Sequence, residues 1–140
     1  VSGFLLDTNV PSDLIRAQPD PRVSEWVFAQ DPVALHLSVI TVGELRKGLR
    51  GLPLGKRRTQ LEDWLDHDLL PSFAGRLLPV TQLIADRWAT FSADRKQLGR
   101  PLSMADGVIA ATAAEDGLTV ATHNVPDFDA LGRLTVYNPW

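Results

Sequence analysis

The sequence predicts a three-layer α/β domain built on a parallel sheet, and two observations carry that expectation. Short apolar runs rich in β-branched residues recur at Phe4 to Leu6, Leu35 to Ile40, Leu118 to Thr122 and Leu134 to Tyr137, with a weaker one at Leu77 to Val80. Between them lie segments whose apolar residues repeat at helical spacing. Continuous apolar strands are buried on both faces. Strands that alternate with helices form right-handed βαβ units, with helices covering the sheet.

Taken in order, Phe4 to Leu6 is a strand that meets Asp7 and turns polar through Thr8, Asn9 and Pro11. Asn9 reads as a helix cap and Pro11 as a helix starter. Val10, Leu14 and Ile15 fit either the core or an interface. After the strand Leu35 to Ile40, Thr41 and Glu44 have the spacing of a capping box. Leu61, Trp64, Leu65 and Leu69 share one helix face, and Ile84, Trp88, Phe91 and Leu98 share another. Their aromatic rings read as core packing. Ser103 and Asp106 repeat the capping-box spacing at the head of an alanine-rich helix. The run Leu118 to Thr122 then leads into His123, Asn124 and Asp127.

Composition narrows the function classes. With 44% hydrophobic and 22% charged residues in 140, the chain is too apolar for disorder and has the size of one domain. It has no cysteine, which removes disulfides, thiolate zinc sites and cysteine nucleophiles. His36, His67 and His123 are too scattered for a helical zinc motif. No apolar run approaches the roughly 18 residues of a membrane span. No signal-peptide pattern opens the chain, so the expected location is cytoplasmic. The net charge of −3 argues against a protein that coats duplex DNA. The local cluster Arg46, Lys47, Arg50, Lys56, Arg57 and Arg58 reads as a solvated helix face or as a phosphate-binding one.

The carboxylates are the informative residues. Asp7 and Glu44 follow successive strands, and Asp106 opens a later helix. Each has a structural explanation by itself, as a turn residue or as the acid of a capping box. Together they change meaning, because all strand ends of an open parallel sheet lie along one edge, where ligands bind. Gathered carboxylates repel, and one takes up a proton near neutral pH unless a cation offsets the charge. An all-oxygen set selects Mg²⁺ or Mn²⁺ over Zn²⁺.

The four segments FLLDTNV, TVGELRKGL, LSMADGVIAATA and TVATHNVPDF, in that order, resemble a PIN-domain ribonuclease, more narrowly a VapC-type toxin of a bacterial toxin–antitoxin pair. The resemblance covers essentially the whole chain, 1–140, as a single PIN domain with a five-stranded parallel sheet flanked by helices. It implies a Mg²⁺- or Mn²⁺-dependent endoribonuclease, a homodimer or larger assembly, and inhibition by a cognate antitoxin. By motif, Asp7, Glu44 and Asp106 match the three acidic positions of the family, and Asn124 falls on the fourth, which is often Asp. Asp127 is placed to supply the missing carboxylate. Thr8 and Thr122 match polar positions that support the acids. Gly107 stands where Ala or another helix former is common, at a propensity cost of up to about 1 kcal/mol.

The expected mechanism has Asp7 and Asp106 holding the metal. Glu44 is a further ligand or a base orienting the attacking water, and Asn124 or Asp127 completes the shell. Arg46 and Lys47 are candidates for contact with RNA or antitoxin. Alternative readings are a catalytically weak PIN-like binding module and a nuclease acting on DNA or structured nucleic acid. A phosphorelay receiver is a poor fit, since it requires an acidic pair after the first strand and a Lys after the last.

Overall fold

Strands β1 (Phe4–Leu6), β2 (Leu35–Ser38), β3 (Leu77–Leu78), β4 (Thr119–Ala121) and β5 (Val136–Tyr137) form one parallel sheet, ordered β3-β2-β1-β4-β5, in the computed structural model, which describes residues 3–140. β1 is central, with Phe4 paired to Leu35 on one side and Leu5 to Val120 on the other. The chain winds outward to β2 and β3, then returns to the opposite side of β1. Such a reversal opens a crevice at the C-terminal ends of the strands.

The helices are α1 (Asn9–Leu14), α2 (Pro21–Ala29), α3 (Val39–Arg50), α4 (Lys56–Asp63), α5 (Leu70–Ser72), α6 (Gln82–Gln97), α7 (Met104–Asp116) and α8 (Val125–Phe128). A wider π turn, Trp64–Leu69, joins α4 to α5. Alternation along the strands divides the core in two. Leu6 and Ala121 pack with Leu37, Leu45, Leu49, Leu61, Leu65 and Leu69 on one face. Leu5 and Val120 pack with Ile84, Phe91, Ile109 and the alanines of α7 on the other. These are the three layers expected. Leu5, Leu37 and Leu65 are fully buried, each contributing roughly 1.5–3 kcal/mol of transfer free energy. No helix among the described residues is long and apolar enough to cross a membrane.

Several boundaries differ from expectation. β2 ends at Ser38, because the Ser38 hydroxyl accepts the Ile40 N–H at 3.0 Å and starts α3 early. Thr41 is therefore no cap, and it lies fully buried inside the helix. Glu44 stands in the second turn of α3, away from the helix start. β3 stops at Leu78, since Pro79 has no N–H to continue a ladder. Asn9 is the first residue of α1 and caps nothing; Thr8 precedes the helix without a side-chain cap bond. Val10 is core, while Leu14 and Ile15 are half-buried against the same cluster. The buried stripe of α6 runs through Ile84, Phe91 and Arg95, and Leu98 is 59% exposed. Ser103 does cap α7, accepting the Asp106 N–H at 3.2 Å.

Gly107 has a packing reason that helix propensity does not reveal. A Cβ there would sit 2.6 Å from Cδ1 and 2.9 Å from Nε1 of Trp88, with Leu102 at 3.2 Å. The indole of α6 lies against the bare backbone of α7. Propensity alone makes Gly107→Ala stabilising by up to about 1 kcal/mol. Overpacking makes it destabilising by about 1–3 kcal/mol. We expect the second sign in urea unfolding, with partial recovery when Trp88 is shortened to Leu; a stabilised Gly107→Ala protein would show that the indole moves aside freely.

Candidate active site

Asp7 ends the central strand and is only 5% exposed. Its Oδ1 accepts the Thr8 N–H at 2.8 Å. Its Oδ2 accepts the Thr122 hydroxyl at 2.8 Å and the Asn9 amide at 3.2 Å. Thr122, itself fully buried, follows β4, so the neighbouring strand supplies the strongest of the side-chain contacts. The Asn124 N–H in turn donates to Thr122 Oγ1 at 2.9 Å, tying the loop after β4 to the same hydroxyl.

Glu44 reaches the edge from the second turn of α3. The Thr8 hydroxyl donates to Glu44 Oε1 at 2.5 Å and lies 3.4 Å from Thr41 Oγ1. Thr8 and Thr122 thus each fix one acid, at opposite flanks of β1. Asp106 stands in the first turn of α7, where the helix dipole favours a negative charge. Asn124 precedes α8 and Asp127 lies within it; both are exposed.

Mutual repulsion shows which acids share a field. Asp7 is pushed up to about 6, chiefly by burial. The bonds from Thr122 and Thr8 oppose that rise, and the charges of Asp106 and Glu44 add to it. Asp106 is also raised, first by burial and then by Asp127 and Glu44, while Ser103 and Arg95 pull it down. The structure therefore brings Asp7, Glu44, Asp106 and Asp127 to one edge, with Asn124 beside them. Among the described residues, no three acidic or histidine side chains stand close enough to form a ready-made metal cage. The edge is an open one. Its donor set is all oxygen, and Asp7 and Asp106 are both raised by burial and by neighbouring acids, which fits a hard divalent cation.

The basic candidates separate. Arg46 is turned away, bonded through both terminal nitrogens to Asp66 at 2.5 and 3.2 Å, so it faces the π turn rather than the acids. Contact of Arg46 with RNA or antitoxin would have to compete with this ion pair. Arg58 pairs with Glu62, and Arg57 donates to the Ile15 carbonyl. The Arg58 pair lies within α4, while Arg50, 3.8 Å from the same Glu62, links α3 to α4, and Arg57 ties α4 to the residue after α1. Lys47 remains exposed and lines a shallow groove with Ile40, Glu44, Leu52 and Met104. A different pocket, lined by Arg87, Phe91, Leu118 and Arg133, lies at the N-terminal ends of β4 and β5 and contains none of the acids.

Two residues of the site escaped the sequence reading. Asn9 bridges the strand ends, donating to Asp7 and to Thr122 Oγ1 at 3.3 Å and accepting the His123 N–H at 3.4 Å. Its position two residues after Asp7 was the available signal. His123, exposed, stacks on Trp140 at 4.7 Å.

A parallel sheet with acids from three junctions at its C-terminal edge is the arrangement of a nuclease-like α/β domain. The chain matches the PIN domain family over residues 4–134 and belongs to it. It is similar to VapC ribonuclease Y4jK of Sinorhizobium fredii, with 46% identity over 98% of this chain and 97% of that protein. It is also similar to Toxin FitB of Neisseria gonorrhoeae, with 43% identity over 98% of each. The crystal structure of FitAcB from Neisseria gonorrhoeae superposes with a TM-score of 0.92, at 42% identity and 98% coverage of both chains. Within the PIN domains these relatives place it with the VapC-type toxins.

The raised Asp7 carboxyl has a consequence for stability. A group that titrates near 6 when folded and near 3.8 otherwise binds its proton more tightly in the folded chain. Folding is therefore penalised once pH rises through about 6, by on the order of 3 kcal/mol, and the penalty vanishes below about pH 4. Asn at this position keeps the Thr8 bond through its Oδ1. Its amide nitrogen would meet Thr122 Oγ1, which already accepts from the Asn9 amide and the Asn124 N–H, so the loss of that one bond offsets part of the gain. In thermal melts of metal-free protein, Asp7→Asn is expected to raise Tm near pH 8 and to lose that advantage towards about pH 4. Equal melting of both proteins across this range would contradict the burial of a charged Asp7.

Proposed function

We propose that this chain is a metal-dependent endoribonuclease toxin that hydrolyses RNA phosphodiester bonds and is neutralised by a cognate antitoxin. Its kinship with VapC-type toxins supports the class. The observation that carries the chemistry is the convergence of Asp7, Glu44 and Asp106, from three different junctions, on one edge, where Asp106 and Glu44 disfavour the ionisation of Asp7 and Glu44 disfavours that of Asp106. The chain from 1 to 140 acts in this reading as one domain, in a homodimer or a larger assembly with the antitoxin.

Asp7 and Asp106 would hold Mg²⁺ or Mn²⁺, and Asn124 or Asp127 would complete the donor set with a neutral amide oxygen or a carboxylate. Such an ion offsets the crowded charge, activates water and stabilises charge on a phosphodiester under in-line attack. Glu44, aimed by the Thr8 hydroxyl, is a further ligand or the base that orients the attacking water. Thr122 and the Thr8 N–H occupy lone pairs of Asp7 and so fix which remain for the cation. Lys47, exposed beside Glu44, is the freer of the two basic candidates for the phosphate or antitoxin contact, since Arg46 is paired with Asp66.

Three outcomes test this reading. Calorimetry should show Mg²⁺ or Mn²⁺ uptake by the wild type that is lost in Asp106→Asn, with RNA cleavage lost in the same samples and in EDTA. Unchanged binding in Asp106→Asn would return that residue to a purely capping role. Thr8→Val should leave the fold intact and reduce kcat by about 10- to 100-fold through a misaimed Glu44; full activity would remove Thr8 from the site. Substrate with 2′-deoxyribose should be cut poorly, and equal cutting would point to a nuclease indifferent to the sugar.

A further inference from the structure

Arg95 is the anomaly of the second core layer. It lies on the apolar stripe of α6, one turn beyond Phe91, and is 3% exposed. Buried charges are ordinarily paired with an opposite charge. Among the described residues, Arg95 has no carboxylate within ion-pair distance, and its Nε has no hydrogen-bond partner. Its Nη2 instead donates to three backbone carbonyls, of Pro126 at 3.2 Å, Asp127 at 2.7 Å and Asp129 at 2.8 Å. One nitrogen carries two protons, so the three acceptors share them. Arg100 adds a bond to the Pro126 carbonyl at 2.9 Å.

Those carbonyls belong to α8 and the residue after it. A helix of four residues is far too short to hold itself. The internal bond from the Asp127 N–H to the Asn124 carbonyl is a single turn. Phe128, 1% exposed, anchors the segment by its apolar side, and Arg95 anchors it by its backbone. This same segment carries Asn124 and Asp127 to the edge where Asp106 stands.

We propose that Arg95 is a positioning residue of the cleavage site, holding the Pro126–Asp129 backbone so that Asn124 and Asp127 stay at the sheet edge beside Asp106. The proposal rests on the reading of that edge as a cation site. A core position filled by Met or Leu would pack as well and cost less desolvation, but it would leave the Asp127 and Asp129 carbonyls without their donor, with Pro126 held by Arg100 alone, and the segment free to shift. Outer residues that orient ligands generally change metal affinity or activity by about 10- to 100-fold when replaced.

The test uses the full chain with Arg95→Met and Arg95→Lys, each checked for cooperative melting, with amide hydrogen exchange and Mn²⁺ calorimetry on the same samples. In Arg95→Met, exchange should quicken within residues 125–129 while β1 and α7 keep their protection, and Mn²⁺ should bind about 10- to 100-fold more weakly. Lys brings an ammonium with three donors on a shorter reach, so its values should fall between those of wild type and Met. A purely structural arginine would lower Tm without changing Mn²⁺ affinity or local exchange, and that result overturns the proposal. If Arg95→Met fails to fold, Arg95→Lys decides alone: loosened exchange at 125–129 with weaker Mn²⁺ binding upholds the proposal, and wild-type values for both overturn it. A wild type that takes up no Mn²⁺ would overturn the cation reading itself, and exchange alone would then decide whether Arg95 holds the segment.

Discussion

The burial of a carboxylate at the end of the central strand is the constraint on which the rest of this structure depends. Asp7 is nearly inaccessible and faces other acids, so its ionised form is sustained only by what surrounds it. The chain supplies the Thr8 N–H, the Thr122 hydroxyl and the Asn9 amide, each from a segment leaving a strand end. The bonds from Thr122 and Thr8 lower the pKa of the carboxyl but do not outweigh burial and repulsion. The residual penalty is what a cation at the edge would relieve.

The sheet order explains why the acids meet. With β1 in the middle, the junction after β2 delivers Glu44 on one flank, and β4 with α7 and α8 delivers Thr122, Asp106 and Asp127 on the other. Close approach of α7 is made possible by its alanines and by Gly107, against which the Trp88 indole packs. Site and core are therefore coupled: the glycine next to Asp106 sets how α6 and α7 seat, and α6 carries the arginine that holds α8.

Much of this was legible in the sequence, because strands buried on both faces announce themselves as apolar runs and a parallel sheet aligns their ends. Asp7 and Glu44 could be placed at one edge by that logic, whereas Asp106, which opens a helix and follows no strand, could not be fixed there by the sheet alone. What failed was local. The Thr41 and Glu44 spacing imitates a capping box, but the Ser38 hydroxyl competes for the same task one turn earlier and wins. Arg46 could not be separated from Lys47 by sequence, since only the tertiary position of Asp66 decides which one is engaged. Arg95 was hidden by the assumption that a buried stripe is apolar. The stripe continues with the correct spacing through an arginine because the residue buries its stem and spends its head on backbone carbonyls.

The most direct measurement of the central claim is a ¹³C NMR titration of the Asp7 carboxyl, without metal and then with saturating Mg²⁺. Burial predicts a midpoint near 6 in the metal-free protein, and the proposed cation site predicts a marked fall when Mg²⁺ is present. A midpoint in the ordinary carboxylate range that Mg²⁺ does not move would contradict it, and Asp7 would then be a turn residue with good hydrogen bonds and no share in a cation.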